Sequence, residues 1–309
     1  MVGPNYKSEP VCLQCLRMVT NGNTCSVCKY PVCSEECAAG PRHAAECRYL
    51  AENTAKAETI RSEEMSAAYA HVTILRMLLL MEAKDDGWFR TNQLMDHLEE
   101  TGSSPEEWSW YNRTIISFIR NDLKLGARFS EEDIKHAIGL MNVNAVCLQF
   151  PKMIGAPCTE VGKGCYPIFA IMSHHCICNA RYFVDPATFN MFVRARVAIK
   201  AGEEITVQYL SALKGTHRYV EYIVRKILHS YYMLFLGRRR KKIREEWYFD
   251  CSCRRCGDPS ECGTNISGVM CLHCHGGCLL PVRPLDYNSP WMCNKVSFDN
   301  LYLIRRFLN

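Results

Sequence analysis

Apolar side chains recur at helical intervals through much of residues 51–140. Three segments show the composition or the spacing of helices: residues 51–65, 69–81 and 88–100. Ser104 before Pro105, and Ser130 before three acidic residues, have the form of helix starts, the second as a variant of the capping box. The pattern predicts a mainly helical region that carries no recognisable chemistry.

Apolar and polar residues alternate, as they do in strands, further along the chain. Residues 142–150 alternate in this way, and so do residues 181–199, where Pro186 marks a turn. We expect a strand and a strand hairpin at these places. Helices followed by short strands predict an α+β fold with a small β-rich core.

Cysteine is the compositional outlier, with 20 among 309 residues. The segment 12–47 holds eight metal-binding side chains in four closely spaced pairs: Cys12 and Cys15, Cys25 and Cys28, Cys33 and Cys37, His43 and Cys47. Eight donors fill two tetrahedral zinc sites, and closed sites of this kind are structural. With no leader peptide ahead of them, the pairs favour zinc thiolates in a reducing compartment over disulfides.

A third cluster follows at Cys251, Cys253 and Cys256. This C-x-C-x-x-C arrangement needs one more thiolate to complete a tetrahedral site, and Cys176 is the natural donor. Such a site would draw the later segment back onto the chain around Cys176 and place Tyr209 in the wall of a pocket.

Cys271, Cys274 and Cys293 suggest a partial fourth zinc site in a small ribbon. Its fourth ligand is expected near Val296. The residues that can substitute for that ligand are Cys278, His273 and His275.

The sequence around Cys176 resembles a known family. Residues 173–180 read S-H-H-C-I-C-N-A, residues 202–205 read G-E-E-I with Tyr209 beyond them, and the C-x-C-x-x-C cluster follows. This order is similar to that of the SET-and-MYND-domain (SMYD) lysine methyltransferases, most closely their arthropod, SmydA-like branch. The family pattern N-H-S-C-x-P-N agrees at His174, Cys176 and Asn179 and departs at Ser173, His175 and Cys178.

The resemblance implies a small β-rich SET core that is split by a MYND zinc finger and a helical insertion and is closed by a cysteine-rich post-SET zinc site. It divides the chain into residues 1–50 (finger), 51–140 (helical insertion), 141–212 (SET core), 213–246 (basic helical linker) and 247–309 (post-SET site and partial ribbon). The finger pairs are expected to interleave, with one metal on Cys12, Cys15, Cys33 and Cys37 and the other on Cys25, Cys28, His43 and Cys47.

The same resemblance implies a protein-lysine N-methyltransferase that uses S-adenosylmethionine. Methyl transfer to an amine is an in-line displacement, so the protein's task is positioning in a dry channel. Tyr209 is the expected catalytic residue, and the residues expected at the cofactor are Asn144, Ser173, His174, Asn179, Trp247 and Phe249. The expected partners are a histone or another lysine-bearing protein and, at the finger, a proline-containing peptide.

Two features depart from the family. The chain begins shortly before Cys12, where relatives carry a SET segment with a Gly-rich cofactor loop, so we expect the cofactor pocket of this chain to lack a wall. The alternative function is a non-catalytic MYND interaction scaffold or transcriptional corepressor.

The apolar segment 219–237 interrupts the family pattern. We hypothesise that an unspliced intron is read in frame there and beyond Lys295; a genuine helical insertion is the alternative.

Charge and hydropathy exclude some function classes. A net charge of +5 is mild for this length and does not predict direct nucleic-acid binding, and the basic run 238–244 is interpreted as a solvated helix face. The longest apolar runs, 72–81 and 227–236, are shorter than the ~20 residues that cross a bilayer. We expect an intracellular protein of the nucleus and cytoplasm, without membrane contact.

Overall fold

The structure, a computed structural model, describes residues 1–5, 8–58, 69–101, 104–150, 159–210 and 239–296. The chain divides into two compact units, Met1–Ile171 with Phe183–Phe192 and Met172–Tyr182 with Val193–Asn309. Helices and small sheets occur together, which confirms the predicted α+β class. None of the described helices is both long and apolar enough to span a membrane.

Helices dominate the first unit. They are α1 (Glu35–Ala38), α2 (Pro41–Leu50), α3 (Thr54–Glu58), α4 (Ala70–Ala83), α5 (Asp86–Thr91), α6 (Leu98–Thr101), α7 (Pro105–Tyr111), α8 (Glu131–Asn144) and α9 (Pro167–Ala170). A 3-10 turn covers Ala51–Asn53, and π-helical turns cover Asn112–Ile116 and Phe118–Asp122. The strands are β1 (Val2–Pro4), β2 (Ala145–Phe150) and β3 (Thr159–Cys165).

Three antiparallel strands form the sheet of the first unit, in the order β1-β3-β2. Gly164 pairs with Val2 on one side and with Val146 on the other. A Cβ on Gly162 would lie 2.4 Å from the carbonyl oxygen of Gly3, so the approach of β1 to β3 requires glycine there. The hydroxyl of Thr73 on α4 donates to the carbonyl of Pro4 at 2.7 Å and joins the sheet to the helices.

Helix α4 lies at the centre of the first unit's core. Every residue from His71 to Leu78 is buried, because the helix is covered on all sides. The run includes Arg76, whose guanidinium donates to both oxygens of the buried Glu46 carboxylate at 2.6–2.7 Å and to the carbonyl of Val2 at 2.9 Å. A buried cation of this kind is tolerated only when it is paired and hydrogen-bonded.

Small sheets and two helices make up the described part of the second unit. Its elements are β4 (Ser173–His174), β7 (Thr206–Val207), α10 (Arg239–Trp247), α11 (Arg254–Gly257), β8 (Val269–Met270), β9 (Cys278–Pro281) and β10 (Trp291–Cys293). Strand β4 is parallel to β7, with Ser173 beside Thr206 and His174 beside Val207. The order β10-β9-β8 is an antiparallel meander, and β5 (Ala180–Val184) with β6 (Met191–Ala195) forms the two-stranded sheet predicted as a hairpin.

Two local predictions were wrong in detail. The helix predicted at residues 88–100 is two helices, because Asn92 ends α5 and His97 adopts a φ of +51° immediately before α6. The strand predicted at residues 142–150 begins only at Ala145, because α8 starts at a complete Ser130–Asp133 capping box and continues through Asn144.

Some predictions concern parts of the chain that the structure does not describe. The proposed intron-derived segment 219–237, residues 213–238 of the predicted linker 213–246, and the last residues, 297–309, lie outside the described residues. The five-segment domain division stays a prediction.

Candidate active site and metal centres

The finger, residues 12–47, brings its eight predicted donors together as two groups of four. The first group is Cys12, Cys15, Cys33 and Cys37, and the second is Cys25, Cys28, His43 and Cys47. Within each group all donor atoms lie within 4.8 Å of one another. Thiolate and imidazole donors in fours match the tetrahedral demand of Zn²⁺, so both groups fit that ion. The interleaving of the pairs is the one that the resemblance implies.

Two turns of the same conformation present four of the finger's sulfurs. The amide of Leu16 donates to the carbonyl of Cys12 at 2.8 Å, and that of Lys29 donates to the carbonyl of Cys25 at 3.0 Å. Leu16 and Lys29 have φ values of +53° and +66°. Each C-x-x-C segment is thereby folded into a tight loop whose two sulfurs point to one place.

A carboxylate lies near the ring nitrogen of His43 that faces away from the sulfurs of the second group. His43 faces Cys28 through Nε2, at 3.7 Å from the sulfur, while its Nδ1 lies 3.9 Å from Oε1 of Glu46. Glu46 is in turn held by Arg76. The separation from His43 is longer than a hydrogen bond, so the Glu46 carboxylate acts on His43 through its charge, which favours a proton on Nδ1 and leaves Nε2 to face the sulfur. The sequence signal for the arrangement is the single charge, Arg76, inside an otherwise apolar run.

The third predicted group also forms. Cys176 lies 3.8 Å from Cys251 and 3.5 Å from Cys256, sulfur to sulfur, and Cys253 completes a set of four. Three members of the set are buried with Leu210 and Ile243 in the small core of the second unit, and Cys253 is partly buried against them. Four thiolates in a buried group fit a structural Zn²⁺.

A buried arginine covers two of these sulfurs. Arg239, with none of its surface exposed, donates from Nε to Cys176 at 3.1 Å, from Nη2 to Cys256 at 3.4 Å and from Nη1 to the carboxylate of Glu261 at 3.1 Å. The interpretation of the basic run as a solvated face was therefore wrong for Arg239 and for Arg240, which is also buried. The overlooked signal is the i, i+4 spacing that places Arg239 and the buried Ile243 on one face of α10.

His174 connects the metal group to the strand that leads to Tyr209. Its Nδ1 accepts the amide hydrogen of Tyr209 at 3.0 Å. The ring proton therefore sits on Nε2, which faces the sulfur of Cys176 at 3.3 Å. Burial lowers the pKa of His174 to about 4, so the ring is neutral at physiological pH.

Asn179 braces the turn before β7. Its Nδ2 donates to the carbonyl of Glu204 at 2.8 Å, and its Oδ1 accepts from the amide of Thr206 at 2.8 Å. The hydroxyl of Ser173 donates to the carboxylate of Glu204 on the same turn. Both side chains predicted to contact the cofactor thus make bonds within the chain that hold the G-E-E-I segment against β4.

Tyr209 lies in a group of rings. Its centroid is 5.2 Å from that of His174, 5.3 Å from that of Trp247 and 6.5 Å from that of Phe249. The hydroxyl donates to the carbonyl of Met172 at 2.7 Å. Burial raises the pKa of this hydroxyl, and the Glu204 carboxylate adds to the rise, so it remains a protonated donor. Four of the predicted residues are therefore brought together.

Asn144 belongs to the first unit. It ends α8, and its Nδ2 donates to the carbonyl of Met95 at 2.8 Å and to that of Leu140 at 3.1 Å. The amide holds the loop before α6 against the end of α8.

The ribbon donors form a smaller group. Cys271, Cys274 and Cys293 come together, and among the described residues neither Cys278, His273 nor His275 joins them. The sequence left those three as alternatives for the fourth ligand.

Comparison with known proteins gives the family. The SET domain family matches residues 27–210. SmydA-8 of Drosophila melanogaster, a SET domain-containing protein, is 25% identical in isoform A over 89% of this chain and 24% identical in isoform B over 98% of it. Histone-lysine N-methyltransferase SMYD3 of Mus musculus is 27% identical over 57% of this chain and 39% of its own length. The chain spans 52% and 60% of the two SmydA-8 isoforms. With a SET match over more than half its length and the interleaved donor groups of its finger, the chain belongs to the SET-domain family as a SET–MYND protein of the SmydA-like branch.

Proposed function

We propose that this protein transfers a methyl group from S-adenosylmethionine to a lysine side chain of a protein, such as a histone. The observation that carries the proposal is the placement of Tyr209. Its hydroxyl is fixed on the carbonyl of Met172, and its ring lies beside His174, Trp247 and Phe249. Names of relatives that describe histone-lysine and protein-lysine methyltransferases support the choice of reaction and of substrate class.

The residues of this group suit a cationic methyl donor and a lysine. Aromatic faces attract sulfonium and ammonium groups, so Tyr209, Trp247 and Phe249 fit both partners of the reaction. S-adenosylmethionine, when bound, supplies the electrophilic methyl group. The hydroxyl donates its one hydrogen to the Met172 carbonyl, so its oxygen and that carbonyl are both acceptors that can orient the N–H groups of an amine beside the half-buried rings.

Zinc would hold this arrangement in place. The Cys176 group joins the segment of β4 to the segment that carries Trp247 and Phe249, and His174 extends the contact to the amide of Tyr209. Four thiolates bound to Zn²⁺ would therefore fix the ring group without taking part in the chemistry.

The second candidate is a non-catalytic MYND scaffold or transcriptional corepressor, in the nucleus and cytoplasm, whose finger binds a proline-containing peptide. One observation favours it: the amides of Asn179 and Asn144, both expected at the cofactor, make bonds within the chain. A side-chain amide that already makes these hydrogen bonds has fewer donors and acceptors left for a ligand.

Calorimetric titration of the zinc-loaded full chain with S-adenosylmethionine separates the two functions. The enzyme predicts saturable binding of one cofactor per chain and transfer of radiolabelled methyl to histone lysines. Tyr209→Phe should lose transfer while keeping the fold. Tyr287→Phe, which removes a hydroxyl from an exposed ring of the same unit, should keep it. No heat at high micromolar cofactor, together with capture of a proline-rich peptide by the finger, would replace the enzyme with the scaffold.

A further inference from the structure

Three cysteines of the second unit form a donor group unlike the others. The sulfurs of Cys271, Cys274 and Cys293 lie within 4.8 Å of one another, with 3.6 Å between the last two. The other three groups have four members each. In the part of the chain that the structure describes, no further His, Cys, Asp or Glu donor joins this group.

The Cys271–Cys274 turn has the backbone conformation of the two finger turns. The amide of His275 donates to the carbonyl of Cys271 at 2.8 Å, as Leu16 and Lys29 do in the finger. His275 has a φ of +50°, in the same left-handed region. Residues other than glycine seldom adopt this region. A left-handed residue directly after a third C-x-x-C pair therefore indicates that this turn, like the two in the finger, directs two sulfurs at one ion.

Strand pairing brings the third sulfur to this turn. Cys293 ends β10, where it pairs with Leu279 of β9. A Cβ on Gly277 would lie 2.6 Å from the sulfur of Cys293, so only glycine lets the strand and the turn come this close. The amide of Lys295 donates to the same sulfur at 3.4 Å, and such bonds favour the thiolate that a metal needs.

The spacing of the first pair, repeated after Cys293, leads to a valine. Val296 follows Cys293 at the same interval that separates Cys274 from Cys271, and it is half-buried. Its side chain has no metal-binding atom. His273 and His275 are exposed and do not belong to the group. The ammonium of Lys295 lies beside the same turn, 3.5 Å from where a Cβ of Gly276 would be.

We propose that Cys271, Cys274 and Cys293 bind Zn²⁺ as thiolates and leave its fourth position to an exchangeable ligand, for which small thiols compete with water. Soft sulfur donors favour zinc over magnesium or calcium. Three protein ligands with one open position characterise zinc sites that accept a ligand, in contrast to closed structural sites. When a thiol binds, a zinc–sulfur bond forms, the bound water leaves, and the thiol proton passes to solvent.

Cadmium-113 NMR of the full chain tests this site directly. Cd²⁺ replaces zinc, each site gives its own resonance, and the shift reports how many sulfurs surround the ion. With a phosphine as the only reductant, we expect about four resonances, one of them from a site with an incomplete sulfur shell. Adding 2-mercaptoethanol should move that resonance alone towards the positions of the four-sulfur sites.

Two variants assign the resonance. Cys271→Ser should remove it and lower the metal content by about one ion per chain while the finger resonances stay in place. Val296→Cys should shift it to a four-sulfur position at the outset and abolish its response to added thiol. A four-sulfur resonance from Val296→Cys also shows that the ribbon still folds, because the ion is then bound by all four cysteines.

Three results would overturn the proposal. The wild type and Cys271→Ser could hold the same number of ions. The resonance in the wild type could already have a four-sulfur shift and ignore the thiol. Peptide mass mapping of unreduced protein could show Cys274 and Cys293 joined as a disulfide that binds no metal. None of these outcomes depends on whether the chain binds S-adenosylmethionine.

Discussion

The Nε of Arg239 donates to the sulfur of Cys176 at 3.1 Å. The guanidinium has no exposed surface and reaches Cys256 as well. Four thiolates around Zn²⁺ carry two net negative charges, which are costly to bury. Arg239 offsets one of them, and its N–H bonds withdraw electron density from two of the four sulfurs.

Arg239→Gln should make Cys176 and Cys256 more reactive. We expect these two cysteines, and not Cys251 or Cys253, to be alkylated faster by iodoacetamide in the zinc-loaded protein, as measured by peptide mass spectrometry. Stability should fall by about 3 kcal/mol, because removing one member of a buried charged network leaves the others uncompensated.

The matched control is Arg240→Gln. Arg240 is 4% exposed but donates to the carbonyls of Cys251 and Leu285 rather than to sulfur. It should cost stability without a selective change at Cys176. Equal alkylation profiles for the two variants would show that Arg239 has a packing role only.

Glu46→Gln should weaken zinc binding at the second finger site. The variant removes the negative charge beside Nδ1 of His43 and leaves Arg76 buried without its counter-ion. Loss of a residue behind a metal ligand typically costs 10–100-fold in metal affinity, so we expect about 10-fold here. Competition with a chelating dye measures it.

Arg76→Gln separates metal support from packing. This variant also breaks the buried pair, but it leaves the carboxylate of Glu46 beside His43. We expect a comparable loss of stability and a smaller loss of zinc affinity. A larger effect on zinc than that of Glu46→Gln would contradict the role given to the carboxylate.

Asn179→Ala should destabilise the second unit by about 2 kcal/mol, because it leaves the amide of Thr206 and the carbonyl of Glu204 without their partner. Urea unfolding followed by tryptophan fluorescence measures the loss. Ser173→Ala, which removes an exposed hydroxyl bonded to the same turn, should cost less than ~1 kcal/mol. Similar costs for the two variants would show that Asn179 does not brace β7.

The buried thiol of Cys165 predicts a loss of stability in alkali. Burial raises its pKa to about 11 from an ordinary value near 9. A raised pKa favours folding below pH 9, and that contribution disappears as the pH rises through 11. We expect the stability advantage of the wild type over Cys165→Ala to shrink by about 2 kcal/mol between pH 8 and pH 11 in urea unfolding. The exposed Cys147, changed to alanine, should show no such trend.

Much of the metal chemistry could be predicted from residue spacing. Pairs such as Cys12 and Cys15 are close in sequence, so a single turn brings their sulfurs together whatever the rest of the chain does. The grouping of Cys176 with Cys251 was predicted because an incomplete C-x-C-x-x-C requires a fourth donor, and the two sulfurs do lie 3.8 Å apart. The role of Tyr209 in catalysis stays a prediction.

The sequence alone determined the donors, the helix starts and the strand alternation, because these depend on neighbours within a few residues. Only the tertiary structure decided that Arg239 is buried against sulfur, that Arg76 pairs with Glu46, and that no histidine completes the ribbon group among the described residues. The physical reason is desolvation. A buried charge or hydrogen-bond donor needs a partner, and here the partner comes from a segment distant in sequence. Local residue patterns do not show which distant segments are in contact.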